Sequence, residues 1–218
     1  MNFALITEGP SEHRIIKHII SKYFKDRDPD VNQIQPKLVD GKQDTVGGWN
    51  EVLKYCERDE LNDIFIENDY LIIQIDTDQS QTKPFSVNHN HPDNTLKTVD
   101  ELLDNVIVKI KGLINDEIFK KHSSKIFFAI CIHTIECWLL PIYYSNSHKG
   151  DTTNCLFSLN SELRKKDIRV IPPKDKNSVN SIRTYKTILK NWKKKQDIIN
   201  AARHNLAFKF FIDSIEVL

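Results

Sequence analysis

The chain has 218 residues, of which 31 are basic and 30 acidic, so its formal net charge is +1. This balance excludes a strongly basic or strongly acidic protein, and the total charge therefore indicates no partner. Hydrophobic residues make up 39% and charged residues 28%, as in ordinary globular proteins. The length allows one domain with its own core. We predict a single domain over residues 1–218, with a core of about 1–145 and a mostly helical C-terminal extension of about 146–218.

The sequence also predicts the environment of the protein. We expect no signal peptide, because Glu8 interrupts the first apolar run, and no apolar stretch is long enough to cross a bilayer. The four cysteines (Cys56, Cys131, Cys137 and Cys155) form no C-x-x-C pair. They favour reduced thiols over a disulfide framework or a zinc site. We therefore expect a soluble, cytoplasmic protein with no membrane partner.

The first part of the chain alternates between strand and helix patterns. "FALIT", residues 3–7, predicts a buried strand, and "EHRIIKHIISKYF" after it has the apolar stripe of a helix that starts near Pro10 and Ser11. "QIQPKLVDG", residues 33–41, predicts a second strand, which Pro36 places at a sheet edge. "WNEVLKYCERDEL" predicts another amphipathic helix. "YLIIQI", residues 70–75, is continuous and apolar, which is typical of a parallel strand buried on both faces.

The second part continues the alternation. Residues 79–95 are polar and predict a loop. A helical pattern runs from Leu96 to about His122, followed by the strand pattern "KIFFAICI" and a short helix in "TIECWLLPIYY". Residues 145–181 show no clear pattern, and the tail from about Ser181 is helical throughout. Alternating strands and helices predict an α/β fold with a mostly parallel central sheet flanked by helices.

Acidic residues follow three of the predicted strands. Glu8 follows the first, Asp76 and Asp78 follow "YLIIQI", and Glu136 follows "KIFFAICI". In an open parallel sheet, ligands bind beyond the carboxyl ends of the strands, where these four carboxylates would gather. While the chain remains extended, Asp76 and Asp78 point to the same side, about 7 Å apart.

Carboxylates gathered in this way favour a metal site. Hard oxygen ligands without soft partners suit Mg²⁺ or Mn²⁺, and such an ion can position phosphate and activate water. The alternative is that each acid only caps a helix or begins a turn. Because acids follow three strands in one small chain, we favour the metal site over this alternative.

Two of these segments resemble the motifs of a known family. "LITEGPSEHRII" resembles the first motif of the TOPRIM fold, an apolar strand followed by Glu-Gly and a helix, and "IIQIDTDQ" resembles its D-x-D motif. The resemblance implies that Glu8, Asp76 and Asp78 hold Mg²⁺ for phosphodiester chemistry. Glu12 matches an acid that often follows the first motif, and we expect it to support the metal site.

A third segment narrows the resemblance. "IHTIECWLLP" is similar to the S-x-E-x-W-L-L element of small bacterial OLD-like TOPRIM nucleases, and it implies that Glu136 is the third acid of a two-metal arrangement. Thr134 is a mild departure from the group. No glycine follows the D-x-D motif, which argues against topoisomerases and primases. The tail "HNLAFKFFIDSIEVL" is similar to the closing helix of that group.

The resemblance also implies a setting and a partner. OLD-like relatives suggest a bacterial or phage-related context, with antiphage defence as the role of the protein. A separate ATPase would restrain or direct the nuclease. This chain has no G-x-x-x-x-G-K-[ST] motif of its own.

Basic residues supply the remaining candidates. Lys174 or Lys176 in "IPPKDKNS" could be the late lysine that several TOPRIM nucleases place near the scissile phosphate; the alternative for each is a solvated lysine. A run of cations between residues 183 and 195 contains no acid and could neutralise nucleic-acid phosphates, although a lysine-rich helix face is more often simply solvated. The run consists of Arg183, Lys186, Lys190, Lys193, Lys194 and Lys195.

We therefore predict a divalent-metal-dependent nuclease that hydrolyses phosphodiester bonds of DNA or RNA. One alternative is a D-x-D nucleotide-sugar transferase, which would give Glu8 no role. Another is a non-catalytic nucleic-acid- or protein-binding module with the same fold. A phosphatase with Asp76 as nucleophile is a weaker alternative. Apolar residues of the C-terminal helices could support a homodimer.

Overall fold

A computed structural model describes residues 1–39 and 42–218 of the chain. Its strands are β1 (Asn2–Ile6), β2 (Asp30–Gln35), β3 (Leu38–Val39), β4 (Lys42–Gln43), β5 (Tyr70–Asp76) and β6 (Ile126–Cys131). The central sheet has four parallel strands in the order β2-β1-β5-β6, and β3 and β4 form a separate antiparallel pair. The predicted α/β class with a mostly parallel central sheet is confirmed.

Helices surround this sheet. The α-helices are α1 (Pro10–Tyr23), α2 (Trp49–Cys56), α3 (Ile64–Glu67), α4 (Val99–Lys111), α5 (Asp116–His122), α6 (Cys155–Lys165), α7 (Val179–Leu189), α8 (Lys195–Ala202) and α9 (Leu206–Ile215). The segment Ile135–Ile142 after β6 is a 3₁₀ helix. No helix within the described residues combines the length and apolar character needed to cross a membrane.

Strand side chains alternate between two apolar clusters, one on each face of the sheet. Leu5, Ile72 and Phe127 face α1 and the C-terminal helices α6 to α9. Their neighbours in sequence, such as Ile73 and Phe128, face α2, α4 and α5. The same alternation turns Gln74 and Asp76 toward the face that α1 covers.

The predicted second strand begins earlier and ends earlier than expected. β2 covers Asp30–Gln35 and stops before Pro36, because proline has no N–H to donate to a neighbouring strand. β2 lies at the edge of the sheet, as the proline indicated. Asp40 and Gly41, which the prediction also included, lie outside the described residues.

The C-terminal helices form part of the main core. Phe208 and Phe211 of α9 are fully buried beside Trp138, whose ring stacks on Phe208 with the centroids 4.5 Å apart. These aromatic side chains belong to the same apolar cluster as the strand residues Phe3 and Leu5. The segment that we predicted as an extension therefore covers one face of the sheet.

Two cysteines correct a prediction. Cys137 and Cys155 form a disulfide, with their Cα atoms 4.9 Å apart, whereas Cys56 and Cys131 are free and buried. The expectation of reduced thiols is therefore wrong for the first pair. Their spacing of 18 residues gives no local signal; the packing of Ile135–Ile142 against α6 brings the two residues together.

Candidate active site

Three of the predicted acids surround one lysine at the carboxyl edge of the sheet. The Nζ atom of Lys176 lies 3.4 Å from Glu12 Oε1, 3.8 Å from Asp76 Oδ2 and 3.1 Å from Glu136 Oε1. The side chains of these acids are at most 5% exposed, and that of Lys176 is 21% exposed. We call Glu12, Asp76, Glu136 and Lys176 the carboxylate–lysine cluster.

Glu8 is tied to this cluster through the main chain of β5. Its Oε1 atom accepts a hydrogen bond of 2.6 Å from the backbone N–H of Asp76. The Gln74 side chain completes the link, because its Oε1 accepts from the Glu8 N–H at 3.2 Å and its Nε2 donates to Asp76 Oδ1 at 2.9 Å. The ends of β1 and β5 are thus held together by polar contacts beside the carboxylates.

A glycine pair supports the main chain of Glu8 from the other side. The N–H of Gly48 donates to the Glu8 carbonyl oxygen at 2.7 Å. A β-carbon at Gly47 would lie 2.3 Å from that same oxygen, far inside van der Waals contact. Only glycine therefore fits at position 47 without moving residue 8.

The loop that carries Lys176 is attached to the start of α1. Asn177 Oδ1 accepts a hydrogen bond of 3.1 Å from the Ser11 N–H, and the Ser11 hydroxyl lies 2.8 Å from Glu12 Oε2. A β-carbon at Gly9 would lie 2.5 Å from the Asn177 amide nitrogen. This close approach attaches the Lys176 loop to the start of α1, although Ser11 and Asn177 are 166 residues apart in sequence.

Glu136 has a second partner besides the lysine. It lies at the start of the 3₁₀ helix Ile135–Ile142 and is completely buried. The hydroxyl of Tyr185, a fully buried residue of α7, donates a hydrogen bond to Glu136 Oε1. A buried carboxylate requires such partners, because an unpaired charge in the interior is very costly.

The electrostatics of the site divide the acids into two groups. Burial, followed by the charge of Glu12, raises the pKa of Glu8 to about 8. Burial also raises the pKa of Asp76 well above its ordinary value, and Lys176 only partly opposes this effect. Without further positive charge, these two acids therefore tend to hold a proton near neutral pH.

Glu136 and Lys176 behave in the opposite way. Burial alone would raise the pKa of Glu136, but the charge of Lys176 and the hydrogen bond from Tyr185 outweigh it and lower that pKa. Burial alone would lower the pKa of Lys176, but Glu12, Glu136 and Asp76 together raise it. Glu136 and Lys176 therefore form an ion pair inside the cluster.

The structure separates Asp78 from Asp76. The chain turns after β5, where the N–H groups of Thr77 and Asp78 both donate to the His133 carbonyl oxygen, at 3.0 and 3.1 Å. Asp78 is exposed and lines a neighbouring cleft of about 360 Å³ together with Phe157 and Arg164. The chain is therefore not extended through the D-x-D segment, and Asp78 does not contact Lys176.

The two candidate lysines also differ. Lys174 is exposed and lines a cleft of about 400 Å³ above the cluster, which Glu8 and Glu12 also line. Among residues 1–39 and 42–218, no carboxylate lies within 4.0 Å of Lys174. Lys176 is the lysine that the fold brings to the acids.

The predicted nucleic-acid-binding cations are spread over three local environments. Arg183 and Lys186 are exposed on α7, and Lys190 is exposed directly after its last residue. The backbone N–H groups of Lys193 and Lys194 donate to Asp197 at the start of α8, at 2.8 and 3.1 Å. The Nζ atom of Lys195 lies 3.9 Å above the ring of Tyr23. At spacings of three and four residues, Arg183, Lys186 and Lys190 lie on one exposed helical face.

The cluster has the donors of a metal site but holds a lysine. Within the described part of the chain, no group of three or more His, Cys, Asp or Glu side chains is arranged to hold a metal ion. The Lys176 ammonium nevertheless acts as a stand-in cation, because Glu12, Asp76 and Glu136 converge on it. Carboxylate oxygens are the ligands that Mg²⁺ and Mn²⁺ prefer. The donor chemistry of these side chains therefore suits such an ion, whereas in the described geometry the Lys176 ammonium occupies the position between them.

Sequence reasoning missed three residues of the site. Gln74 had a signal, since it is the one polar residue within the apolar run "YLIIQI". Tyr185 lies in the amphipathic pattern "SIRTYKTILK", in which an aromatic residue is typical of a core position, and no local signal marks it as a partner of Glu136. Asn177 had no signal, because its contacts with α1 depend on the folded chain.

No protein-family model, curated protein or solved structure matches this chain. The TOPRIM resemblance therefore rests on the short motifs alone and stays a prediction.

Proposed function

We propose that this protein is a TOPRIM-like, divalent-metal-dependent nuclease that hydrolyses phosphodiester bonds of DNA or RNA. The observation that carries the proposal is the convergence of Glu12, Asp76 and Glu136 on one buried cation, Lys176, beside Glu8. This arrangement lies at the carboxyl edge of a parallel sheet, where ligands of such folds bind. The cleft above it exposes the site to a substrate.

In this proposal, Glu8, Glu12, Asp76 and Glu136 hold Mg²⁺ or Mn²⁺, and Asp78 lies at the rim. A bound divalent ion would supply Lewis acidity and a water of lowered pKa. Gln74 keeps the ends of β1 and β5 in register, and Tyr185 orients Glu136. Both are positioning residues.

Lys176 has the role of a movable cation. Its ammonium neutralises the carboxylates in the structure as it stands. Lys176 also lines the cleft, as does Lys174. Once its ammonium leaves the acids, it can contact a phosphate there as a point charge. Lys174 can make a similar contact from the rim.

The rival interpretations fare differently. A non-catalytic binding module is favoured by the same lysine, since a buried ammonium can replace a metal permanently. A D-x-D nucleotide-sugar transferase is less favoured, because the exposed Asp78 and the buried Asp76 face different surroundings. The separate ATPase and the role in antiphage defence derive only from the family resemblance.

The test is cleavage of plasmid DNA, single-stranded DNA and total tRNA with Mg²⁺ or Mn²⁺. We expect the wild type to cut at least one substrate and Glu8→Gln to lose about 100-fold or more in rate, since it removes a charged ligand of the site. Glu117→Gln is the matched control, because the Glu117 side chain is 87% exposed on α5. It should cut like the wild type.

Two results would overturn the proposal. Equal cleavage by the wild type and Glu8→Gln would place the activity elsewhere. If the folded wild type cuts no substrate with either ion, the chain is not a nuclease that acts on its own, and the binding-module alternative is favoured.

A further inference from the structure

A positively charged groove runs between α1 and α7, separate from the cleft above the cluster. Its volume is about 280 Å³, and its lining includes Arg14, Lys17, Lys22, Lys186 and Lys190. His18 lies between these cations and joins the two helical segments, since its Nε2 atom is 2.8 Å from the Trp192 carbonyl oxygen. Five cations in one groove are notable in a chain whose net charge is only +1.

The charge of this groove is not neutralised by neighbouring acids. Among the described residues, no carboxylate lies within 4.0 Å of any of the five cations. Lys17 Nζ makes one neutral contact, to the Val31 carbonyl oxygen at 3.1 Å. Burial lowers the pKa of His18, and the nearby Lys22 and Arg14 lower it further. The groove therefore has the electrostatic character of an anion-binding surface.

The helices that form the groove also contribute residues to the candidate active site, on their buried faces. Glu12 of the cluster is two residues before Arg14 on α1, and Tyr185, which contacts Glu136, directly precedes Lys186 on α7. From Arg14 to Lys22, α1 rises by about 12 Å at 1.5 Å per residue. Phosphates of one strand in a duplex are about 3.4 Å apart along the axis, so the groove matches roughly three or four of them.

We propose that the α1–α7 groove binds the phosphate backbone of the nucleic-acid strand that enters the active site. The inference rests on the proposed function, and it adds Arg14, Lys17 and Lys22 to the substrate-binding surface. These three residues are spaced along α1 between buried isoleucines, so they form no basic run in the sequence. Only the neighbouring α7 turns them into one side of a groove.

The shape of the surface favours nucleic acid over an anionic membrane. Helices that bind membranes insert apolar side chains from an exposed face. The apolar side chain of this groove, Leu189, is buried, and the cations line a concave surface. A narrow charged groove suits a single strand or one strand of a duplex.

Binding can be measured without cleavage. The parent is Glu8→Gln in EDTA, and the probes are fluorescein-labelled single-stranded and double-stranded 20-mers in an anisotropy titration at several salt concentrations. The groove variant adds Arg14→Glu, Lys186→Glu and Lys190→Glu. The control variant adds Lys120→Glu, Lys121→Glu and Lys125→Glu, which reverses the same number of charges at exposed positions on or near α5, on the other side of the sheet.

We expect the groove variant to lose at least tenfold in affinity, and the control to change less than threefold. The negative slope of log K against log salt should become shallower by about 2 to 3 in the groove variant, since each lost phosphate contact contributes about 0.7 to 0.9 to its magnitude. The single change Lys190→Ala, at an exposed position, guards against misfolding of the triple variant. It should reduce the magnitude of the salt slope by about 0.7 to 0.9, the contribution of one phosphate contact.

Several outcomes would contradict nucleic-acid binding by the groove. These are an unchanged affinity and slope in both groove variants, an equal loss in the control, and no binding of either probe by the parent. Another outcome is that the parent binds phosphatidylserine vesicles through the groove. In that case the groove substitutions alone would abolish vesicle binding and leave oligonucleotide binding unchanged, and the groove would be assigned to membranes. Cleavage is measured separately, with the protein in which Glu8 is intact. If the groove binds the oligonucleotides but the protein does not cleave, only the proposed nuclease activity is refuted. If the protein cleaves and the groove substitutions have no effect on binding, only the proposed role of the groove is refuted.

Discussion

Gly47 shows how closely the main chain approaches at the candidate site. Because a β-carbon there would be 2.3 Å from the Glu8 carbonyl oxygen, we expect Gly47→Ala to displace residue 8. Overpacking of this kind costs about 1–3 kcal/mol of unfolding free energy, and displacement of Glu8 should lower any cleavage rate at least tenfold. Urea denaturation and the cleavage assay measure the two effects.

Gly112 offers a matched control for that substitution. It has a φ of −70°, and a β-carbon at this position would meet nothing closer than 3.4 Å. Gly112→Ala should therefore leave activity unchanged and alter stability by no more than about 0.5 kcal/mol. Equal tolerance of alanine at both positions would contradict the packing of Gly47 against Glu8.

Tyr185 tests the network around the buried acid. Tyr185→Phe removes the hydroxyl that donates to Glu136 and leaves the ring in place, so the carboxylate loses one hydrogen bond and keeps its ion pair with Lys176. Hydrogen bonds to charged groups contribute about 1.5–3 kcal/mol, and we expect a loss of stability in this range. Tyr144→Phe, which removes a bond to a neutral carbonyl oxygen of Ser158, should cost less. A larger loss at Tyr144 would argue against a charged Glu136.

The elements show what the sequence could and could not predict. Residues 70–75 were predicted as a strand and β5 covers Tyr70–Asp76, because a continuous apolar run is typical of a buried parallel strand. The helix after Glu8 was also predicted, since its apolar stripe is regular. The pattern over 96–122 was interpreted as one helix, but α4 ends before Gly112 and Asn115 caps α5, so local capping overrode the periodicity.

In the candidate site, too, local patterns could be predicted from the sequence and contacts between distant residues could not. Glu8 and Asp76 could be placed at strand ends from the sequence alone, because each directly follows an apolar run. The contacts that complete the site could not be predicted, since Tyr185 lies 49 residues from Glu136 and Asn177 lies 166 residues from Ser11. Such contacts depend on which helices cover the sheet, and no local pattern carries that information.

The disulfide between Ile135–Ile142 and α6 can be tested by counting thiols. Cys56 and Cys131 are fully buried, and burial raises the pKa of the Cys56 thiol to about 12, so the native protein should react with none of an aromatic disulfide reagent in minutes. The unfolded protein should show two thiols without reductant and four after reduction. In Cys56→Ala/Cys131→Ala, the unreduced count should fall to zero. Four thiols without reductant would show that Cys137 and Cys155 are unpaired.

At the scale of the whole molecule, the site and the C-terminal helices depend on each other. Lys176 and Tyr185 come from the C-terminal part of the chain, while Glu8, Glu12 and Asp76 come from the first part. The helices on either side of the Lys176 loop, including α7 with Tyr185, also cover one face of the sheet. Residues 1–145 alone would therefore lose both the cation of the cluster and nearly half of the buried apolar residues on that face of the sheet.

Two phenylalanines of α9 allow this dependence to be measured within one helix. Phe208 is fully buried and stacks on Trp138, whereas Phe210 is 38% exposed. Phe208→Ala should cost about 3–5 kcal/mol of unfolding free energy, since it leaves a cavity in the core, and Phe210→Ala about 1 kcal/mol or less. Because the same core supports α7 and the loop of Lys176, the Phe208 variant should also lose any cleavage activity at a lower temperature than the wild type. If the two substitutions had equal effects on unfolding, α9 would be an appendage and not a layer of the fold.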